Sequence, residues 1–395
     1  MALFKRNKDK GKRLADGSGD ERPVDKPKRK RPANTAFKQQ RLKAWQPILT
    51  PKSVLPTLFA IGLLFAPIGA VLIWGSNTVT SITLNYTDCD TSAPTDGTFE
   101  AMSGNRYDYN LASGHSGASY TAPTWSFTND SSRAIGERAQ CVVRFQVPYD
   151  LDPSVFLYYK LTNYYQNHRR YVLSLDKDQL IGHDRTPNQI DDGQCTPITL
   201  RDGVPIYPCG LIANSVFNDT FTNLQLLNPE GGSGAQAYPL SERNIAWDGE
   251  SKHYTNNPPG VPSDYAVPPN WLERYPNGYE SFPPLADDEH FQVWMRTSAL
   301  PTFSKLWGRN DDDVMNSGTY EMTINMNYPV RQFSGTKSVV FSTVSWMGGK
   351  NPFLGWAYVA TAILFVVLAV AGTAKHLLQP RRMGDMSMLS WNQNK

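Results

Sequence analysis

Two long apolar stretches of this chain have no charged residue at all: Val54–Trp74 and Phe353–Thr373, each 21 residues long. About 20 apolar residues let a helix cross roughly 30 Å of hydrocarbon. Buried helices of soluble proteins seldom run that far without a charge, so both stretches read as membrane spans. Cysteine is scarce as well. The 395 residues contain four, Cys89, Cys141, Cys195 and Cys209, all between the two apolar runs. None forms C-x-x-C, which removes the common thiol-redox signature. There is no H-E-x-x-H pair for a zinc hydrolase and no Walker loop for a nucleotide phosphate.

Charge is segregated along the chain. Residues 1–52 hold 16 Lys and Arg against 5 Asp and Glu, and residues 374–395 hold 4 against 1. The segment between them holds 19 basic and 30 acidic residues, so the overall charge of +3 hides an acidic middle and two basic ends. Positive flanks stay cytosolic, which places both termini inside and the long middle outside. The first span is read as a retained anchor rather than a signal peptide, because 53 residues precede it and its apolar core exceeds an h-region. The expected layout is a cytosolic tail 1–52, a first span 53–75, an exoplasmic domain 76–351, a second span 352–374 and a cytosolic tail 375–395. Four cysteines on the exoplasmic side point to two disulfides in an oxidising compartment. Three N-x-S/T sequons, at Asn85, Asn129 and Asn218, lie on the same side.

The first 33 residues are charged and poor in apolar side chains, and disorder is expected there. Their "PKRKR" run looks like a nuclear signal, but beside two spans it reads as a basic segment drawn to anionic lipid. Residues 34–46 read as a short helix with Asn34 as N-cap and Pro47 as stop. Phe37 and Trp45 on it would meet the membrane interface or a partner. Gly62, Ala66 and Ala70 make a small-residue stripe in the first span that permits close helix approach. Pro56 and Pro67 are expected to bend that span.

The exoplasmic domain reads as mainly antiparallel β, sandwich-like, disulfide-bonded and with long loops. "CVVRFQVPYD", "SVFLYYKLT", "GTYEMTINMNYPV" and "GTKSVVFSTVS" are β-branched and aromatic runs bounded by turn residues. Met322, Ile324 and Met326 alternate with Thr323, Asn325 and Asn327, the pattern of a strand buried on one face. The strand from Val155 to Leu161 reads as covered on both faces. Residues 256–271 read as an exposed Pro-rich loop, and residues 91–124 and 228–240 as long insertions.

No catalytic constellation emerges. "GHSGA" at 114–118 is one residue short of G-x-S-x-G, and "SGTKS" at 334–338 lacks the Walker pattern. The acidic runs "DDD" at 311–313 and "DDEH" at 287–290 lack EF-hand spacing and read as solvated turns. In "TNYYQNHRRY" the His168, Arg169 and Arg170 cluster, with tyrosines around it, would suit nucleic acid in a cytosolic protein. Outside the membrane it reads as a satisfied polar network at a domain or subunit contact.

The segments "NTAFKQQRLKAWQP", "YYKLTNYYQNHRRYV", "YPCGLIANSVFNDTF", "FQVWMRTSALPTFSKLW" and "GTKSVVFST" resemble the cell-division-cycle-50 (ligand-effect-modulator) family. Its members are β-subunits of type-IV P-type ATPases, the phospholipid flippases. The resemblance runs from about Ala33 to Asp385. It departs from the vertebrate pattern in having four exoplasmic cysteines rather than six, which implies the pairs Cys89–Cys141 and Cys195–Cys209. It also implies a noncatalytic partner of the ATPase in a heterodimer, without cofactor or nucleic acid, needed for export from the endoplasmic reticulum and for lipid transport. The rival readings are an anchored ectoenzyme of glycosidase type and a receptor.

The charge asymmetry generates a topology test. Protease added to sealed cytosolic-side-out vesicles should trim only the two tails, and protection of the N-terminus would reverse the assignment.

Overall fold

A computed structural model describes residues 34–43, 49–229, 232, 234–380, 386 and 389. The basic tail 1–33, expected to be disordered, and Trp45 lie outside the described residues.

In the segment before the first span, the helix expected over 34–46 does not form among the described residues. Residues 36–40 make consecutive turns, and Gln40 takes a positive φ of 53° that no right-handed helix accepts. The turn is capped by Thr35, whose Oγ1 accepts from Lys38 N at 3.2 Å, rather than by Asn34. Phe37 is exposed.

The two apolar runs form helices α1 (Pro51–Asn77) and α8 (Phe353–Leu378), each longer than its uncharged stretch. Helix α1 continues through Pro56 and Pro67. Between them lie six short helices: α2 (Cys89–Ser92), α3 (Arg169–Leu173), α4 (Lys177–Ile181), α5 (Pro187–Asp191), α6 (Leu211–Asn214) and α7 (Glu289–Met295).

Two antiparallel sheets carry the domain. The first has the order β12 (Phe303–Asn310), β6 (Val155–Leu161), β14 (Lys337–Thr343), β1 (Ser81–Asn85) and β3 (Tyr107–Asn110). The second has the order β11 (Gln236–Tyr238), β10 (Leu224–Leu226), β13 (Gly318–Asn325), β5 (Ala139–Val147), β4 (Thr124–Asn129) and β2 (Glu100–Ala101), with β9 (Thr220–Phe221) also on β13. A hairpin of β7 (Leu200–Arg201) and β8 (Val204–Pro205) turns at Asp202-Gly203, where both residues have the positive φ that such a turn demands. The four β-branched and aromatic runs read as strands correspond to β5, β6, β13 and β14. Alternate residues of β5, Cys141, Val143, Phe145 and Val147, are buried. On β6 one face is buried as expected, but Phe156, Tyr158 and Lys160 opposite are only half-covered. The supposed insertion 91–124 contributes β3, an edge strand on β1. The Pro-rich stretch is a loop but not an exposed one throughout: Val267 and Trp271 join the core, and Tyr207 N donates to Ala266 O at 3.0 Å.

The sheets meet through aromatic rings. Phe145 of the second stacks on Phe341 of the first at 4.7 Å, and Trp307 meets Phe221 edge-on at 4.9 Å. Disulfides join Cys89 to Cys141 and Cys195 to Cys209, with Cα separations of 6.1 and 5.6 Å. The second bridge, with Ile190 and Ile206, forms a small separate core, and closing its short loop contributes about 3 kcal/mol on the chain-entropy model.

The two long helices pack on a seam with a period of seven. Gly62, Gly69 and Ser76 are buried on α1, and Gly355, Ala362 and Ala369 on α8. A seven-residue repeat keeps a seam facing its partner only if the helices wrap with left-handed crossing. A β-carbon on Gly69 would stand 2.7 Å from Val359 Cγ2 and 2.9 Å from Gly355 O, so only glycine permits this approach. Gly62 is likewise closed in by Val366 and Ala362. The four-residue stripe therefore splits: Gly62 faces the chain's own second span, whereas Ala66 and Ala70 are exposed.

Gly69→Leu should cost about 1–3 kcal/mol through overpacking and lower the unfolding temperature of the detergent-solubilised chain. Ala70→Leu, on the exposed side, should leave it unchanged.

Candidate interaction surfaces

Strand β1 begins at Ser81, four residues after α1 ends, and β14 ends at Thr343, ten residues before α8 begins. They pair antiparallel, Ser81 with Ser342 and Asn85 with Ser338. Lys350 reinforces the junction by donating to the carbonyls of Val79, Asn110 and Leu111 at 3.1–3.3 Å. Trp74, Trp346, Phe353 and Trp356 stand exposed around it, as aromatic side chains do at a membrane interface. Below them the outward faces of α1 and α8 present Leu63, Val71, Leu364 and Val367, which their own seam leaves uncovered.

The far end of the sheets is locked by one buried charge pair. Lys337 Nζ lies 2.7 Å from Asp219 Oδ2, and both side chains are almost wholly buried. Such a pair persists only if every other polar atom finds a partner. Tyr86 OH donates to Oδ2 at 2.8 Å, the backbone N–H groups of Asn327 and Tyr328 donate to Oδ1 at 2.5 and 2.6 Å, and Lys337 also donates to Tyr328 O at 2.9 Å. Burial, then the charge of Asp219, pushes the Tyr86 hydroxyl well up, so it stays a donor.

Beyond this lock lies the "NYYQNHRRY" segment. Tyr164 is ringed by Tyr171, Trp294, Phe303, Tyr328 and Phe333 at 5.5–6.3 Å. Gln166 is buried, with Oε1 accepting from Ser298 N at 2.8 Å. Asn167 Nδ2 donates to Ala299 O at 2.8 Å, and Tyr171 OH shares a hydrogen bond with Ser215 at 2.8 Å. These contacts fix the backbone. His168, Arg169 and Arg170 project from it, exposed, and among the described residues their side chains form no hydrogen bond or ion pair. The satisfied network expected there consists of the flanking residues only. Tyr165, Val172, Leu173 and Leu300 are exposed beside the arginines. A fixed, cationic and partly apolar surface results, at the end of the sheets away from the helices.

The acidic runs have structural duties. Asp288 caps α7 by accepting from Phe291 N at 2.9 Å. Glu289 accepts from the N–H groups of Asn244, Ile245 and Ala246 at 2.7–3.0 Å. Burial pushes its carboxyl up, but those three donors outweigh burial and hold it below the usual range. Asp311 pairs with Arg309 at 2.5 Å. "GHSGA" lies on an exposed loop where His115 stacks on Tyr149 at 3.8 Å. Among the described residues no group of three His, Cys, Asp or Glu could hold a metal ion.

The sequons differ. Asn129 and Asn218 are exposed, whereas Asn85 is half-buried at the end of β1, its Oδ1 accepting from Thr87 N at 3.0 Å and from Thr87 Oγ1 at 2.6 Å. Sequence reasoning missed the heptad Gly355, Ala362, Ala369, which is visible once the second span is read with a period of seven. It also missed Lys305. This lysine is buried in β12, and its Nζ donates to the carbonyls of Val293, Trp294 and Arg296 at 2.8, 2.8 and 2.5 Å. The carbonyls at the end of α7 favour the ammonium. Burial, aided by Arg296, pushes it down to about 7.

A search against known proteins places these features in context. A family model described as the LEM3 (ligand-effect modulator 3) family / CDC50 family matches residues 72–382. A Saccharomyces cerevisiae protein named phospholipid-transporting ATPase accessory subunit CRF1 is 41% identical over 367 residues, covering 92% of this chain and 90% of the relative. The Chaetomium thermophilum phospholipid-transporting ATPase accessory subunit CDC50 is 38% identical, covering 96% and 95%. Mouse cell cycle control protein 50A is 39% identical, covering 90% and 92%.

Lys305 generates a pH test. Between about 7 and the 10.5 of a free lysine, the unfolded chain holds a proton that the folded chain has released. Stability should therefore rise with pH through that window and be level below it. Lys305→Met should remove the slope, and leaving buried carbonyls without a donor should cost about 1–3 kcal/mol. Unfolding temperatures of both proteins measured across the window check this.

Proposed function

Because the chain belongs to the LEM3/CDC50 family, we propose that it is the noncatalytic β-subunit of a phospholipid-translocating P-type ATPase. In this reading it supports the ATPase's assembly, its export from the endoplasmic reticulum, and flipping of phospholipid from the exoplasmic to the cytosolic leaflet. The observation that carries it is end-to-end similarity to proteins named accessory subunits of such ATPases. Both tails are cytosolic and the two-sheet domain is exoplasmic, in keeping with the charge distribution. The complex is a heterodimer in the membranes of the secretory and endosomal pathway.

A subunit without chemistry acts only through differential contact, favouring transport-competent states of its partner over stalled ones. Two surfaces suit that task. The outer face of α1, including the exposed Ala66 and Ala70, can accept a close-packed helix of the ATPase. The domain end carrying Arg169 and Arg170 can engage acidic exoplasmic loops, since guanidinium groups bind carboxylates bidentately. Phe37 and Trp45 supply a third contact on the cytosolic side.

Capture of the tagged chain in mild detergent should recover a multi-span P-type ATPase in equimolar amount. Arg169→Glu with Arg170→Glu should lower that recovery by about tenfold, the equivalent of about 1.4 kcal/mol, without altering the unfolding temperature of the chain. Recovery of the chain alone from native membranes would argue for the ectoenzyme or receptor reading instead.

A further inference from the structure

Beside the buried charge pair, the domain surface opens into a cleft of about 540 Å³ that the contacts proposed above do not use. Its floor is aromatic, formed by Phe217, Trp271, Phe291 and Trp307, and Glu242, Glu273 and Arg274 stand at its rim. The sequon asparagine Asn218 lies in its wall.

The residues around Asn218 are held firmly. Phe217 stacks on Tyr159 at 4.0 Å, and Asp219 is fixed by Lys337 and by three further donors. Thr220 Oγ1 accepts from Asn325 Nδ2 at 2.7 Å. The Asn218 carbonyl accepts from Asn327 Nδ2 at 3.2 Å, while the Asn218 side chain is exposed and has no hydrogen-bond partner among the described residues. A group attached to its amide nitrogen therefore leaves from a fixed point at the edge of the cleft. A second observation concerns His290, another residue of the wall. It stacks on Trp307 at 3.9 Å and its Nε2 meets Glu242 at 3.1 Å, but its Nδ1 is buried without a hydrogen-bond partner. A buried polar atom without a partner costs free energy unless something supplies one.

We infer that the cleft is the seat of the chain's own Asn218-linked carbohydrate, whose first sugars pack against the aromatic floor and hydrogen-bond to the rim. A pyranose has the required duality: C–H groups on its ring faces and hydroxyl or acetamido groups at its edges. A mainly apolar pocket with a few convergent polar groups recognises that shape. The sugar spans three chain segments, 135–137, 216–220 and 270–274, that no strand pairing joins to one another. It thus acts as a fixed internal strut rather than as a solvated appendage. The inference rests on the exoplasmic placement of this domain.

The test uses the full chain, co-expressed with its ATPase in a eukaryotic host. Asn218→Gln removes the sugar without removing any side-chain hydrogen bond. Hydrogen exchange in segments 135–137 and 270–274 should then quicken by about tenfold, as local opening becomes easier, while β5 stays unchanged. Native peptide N-glycosidase should release the Asn218 sugar about tenfold more slowly than it does after denaturation in detergent is corrected for, again because release waits on opening. Glu273→Ala, which keeps the sugar, should speed that native release. Unchanged exchange together with unhindered release would overturn the proposal, as would protection of the two segments that appears only when the ATPase is bound. A sugar on Asn129 with none on Asn218 would overturn it while leaving the exoplasmic placement intact. An absence of sugar from every sequon would instead overturn the placement itself.

Discussion

The antiparallel pairing of β1 with β14 is the constraint from which the architecture follows. It brings together strands separated by about 250 residues of chain, one starting four residues after the first membrane helix and the other ending ten residues before the second. With both strands inside one sheet, the helices must emerge side by side from the same edge, and a glycine and alanine seam lets them touch. The intervening chain then has to close upon itself above them. It does so by supplying the other strands of the first sheet, laying the second sheet across it and locking the far end with Asp219 and Lys337. That pair would be a liability if either partner lacked its supporting donors. Here Tyr86 and the backbone of Asn327 and Tyr328 provide them.

This construction gives many of the titratable groups a structural partner. Carboxylates that look available in the sequence are bound to backbone N–H groups, as Glu289 and Asp288 are, or to arginines, as Asp311 is. Lys305 is spent on the end of α7. Uncovered groups stand out at the surface: apolar helix faces below and the two arginines above. A molecule whose uncovered apolar and cationic groups face outward is suited to holding another protein in a chosen conformation.

Much of this was legible in the sequence because the signals were strong and local. Length and absence of charge identified both spans, and β-branched and aromatic runs bounded by turn residues identified β5, β6, β13 and β14, with alternation as a further sign in β13. Strand β12 was harder to see, since Lys305 occupies a buried position in it and the register slips between Leu306 and Gly308. The helix expected at 34–46 rested on Asn34 as cap and Pro47 as stop, signals that are weak beside the turn that Thr35 stabilises. The stripe at Gly62, Ala66 and Ala70 was read with a period of four, while the helices cross with a period of seven, and a single span cannot distinguish the two without the spacing in its partner. The exposure of Arg169 and Arg170 was also not legible. It depends on Tyr164, Gln166 and Asn167 being engaged by residues 120 or more positions away.

The central claim, that this chain works by contact with a lipid-transporting ATPase rather than by chemistry of its own, is tested most directly by reconstitution. Lipid-stimulated ATP hydrolysis and translocation of a labelled phospholipid would be measured for the purified ATPase in vesicles, with and without this chain. The account predicts that both activities require the chain. Full activity of the ATPase alone would contradict it.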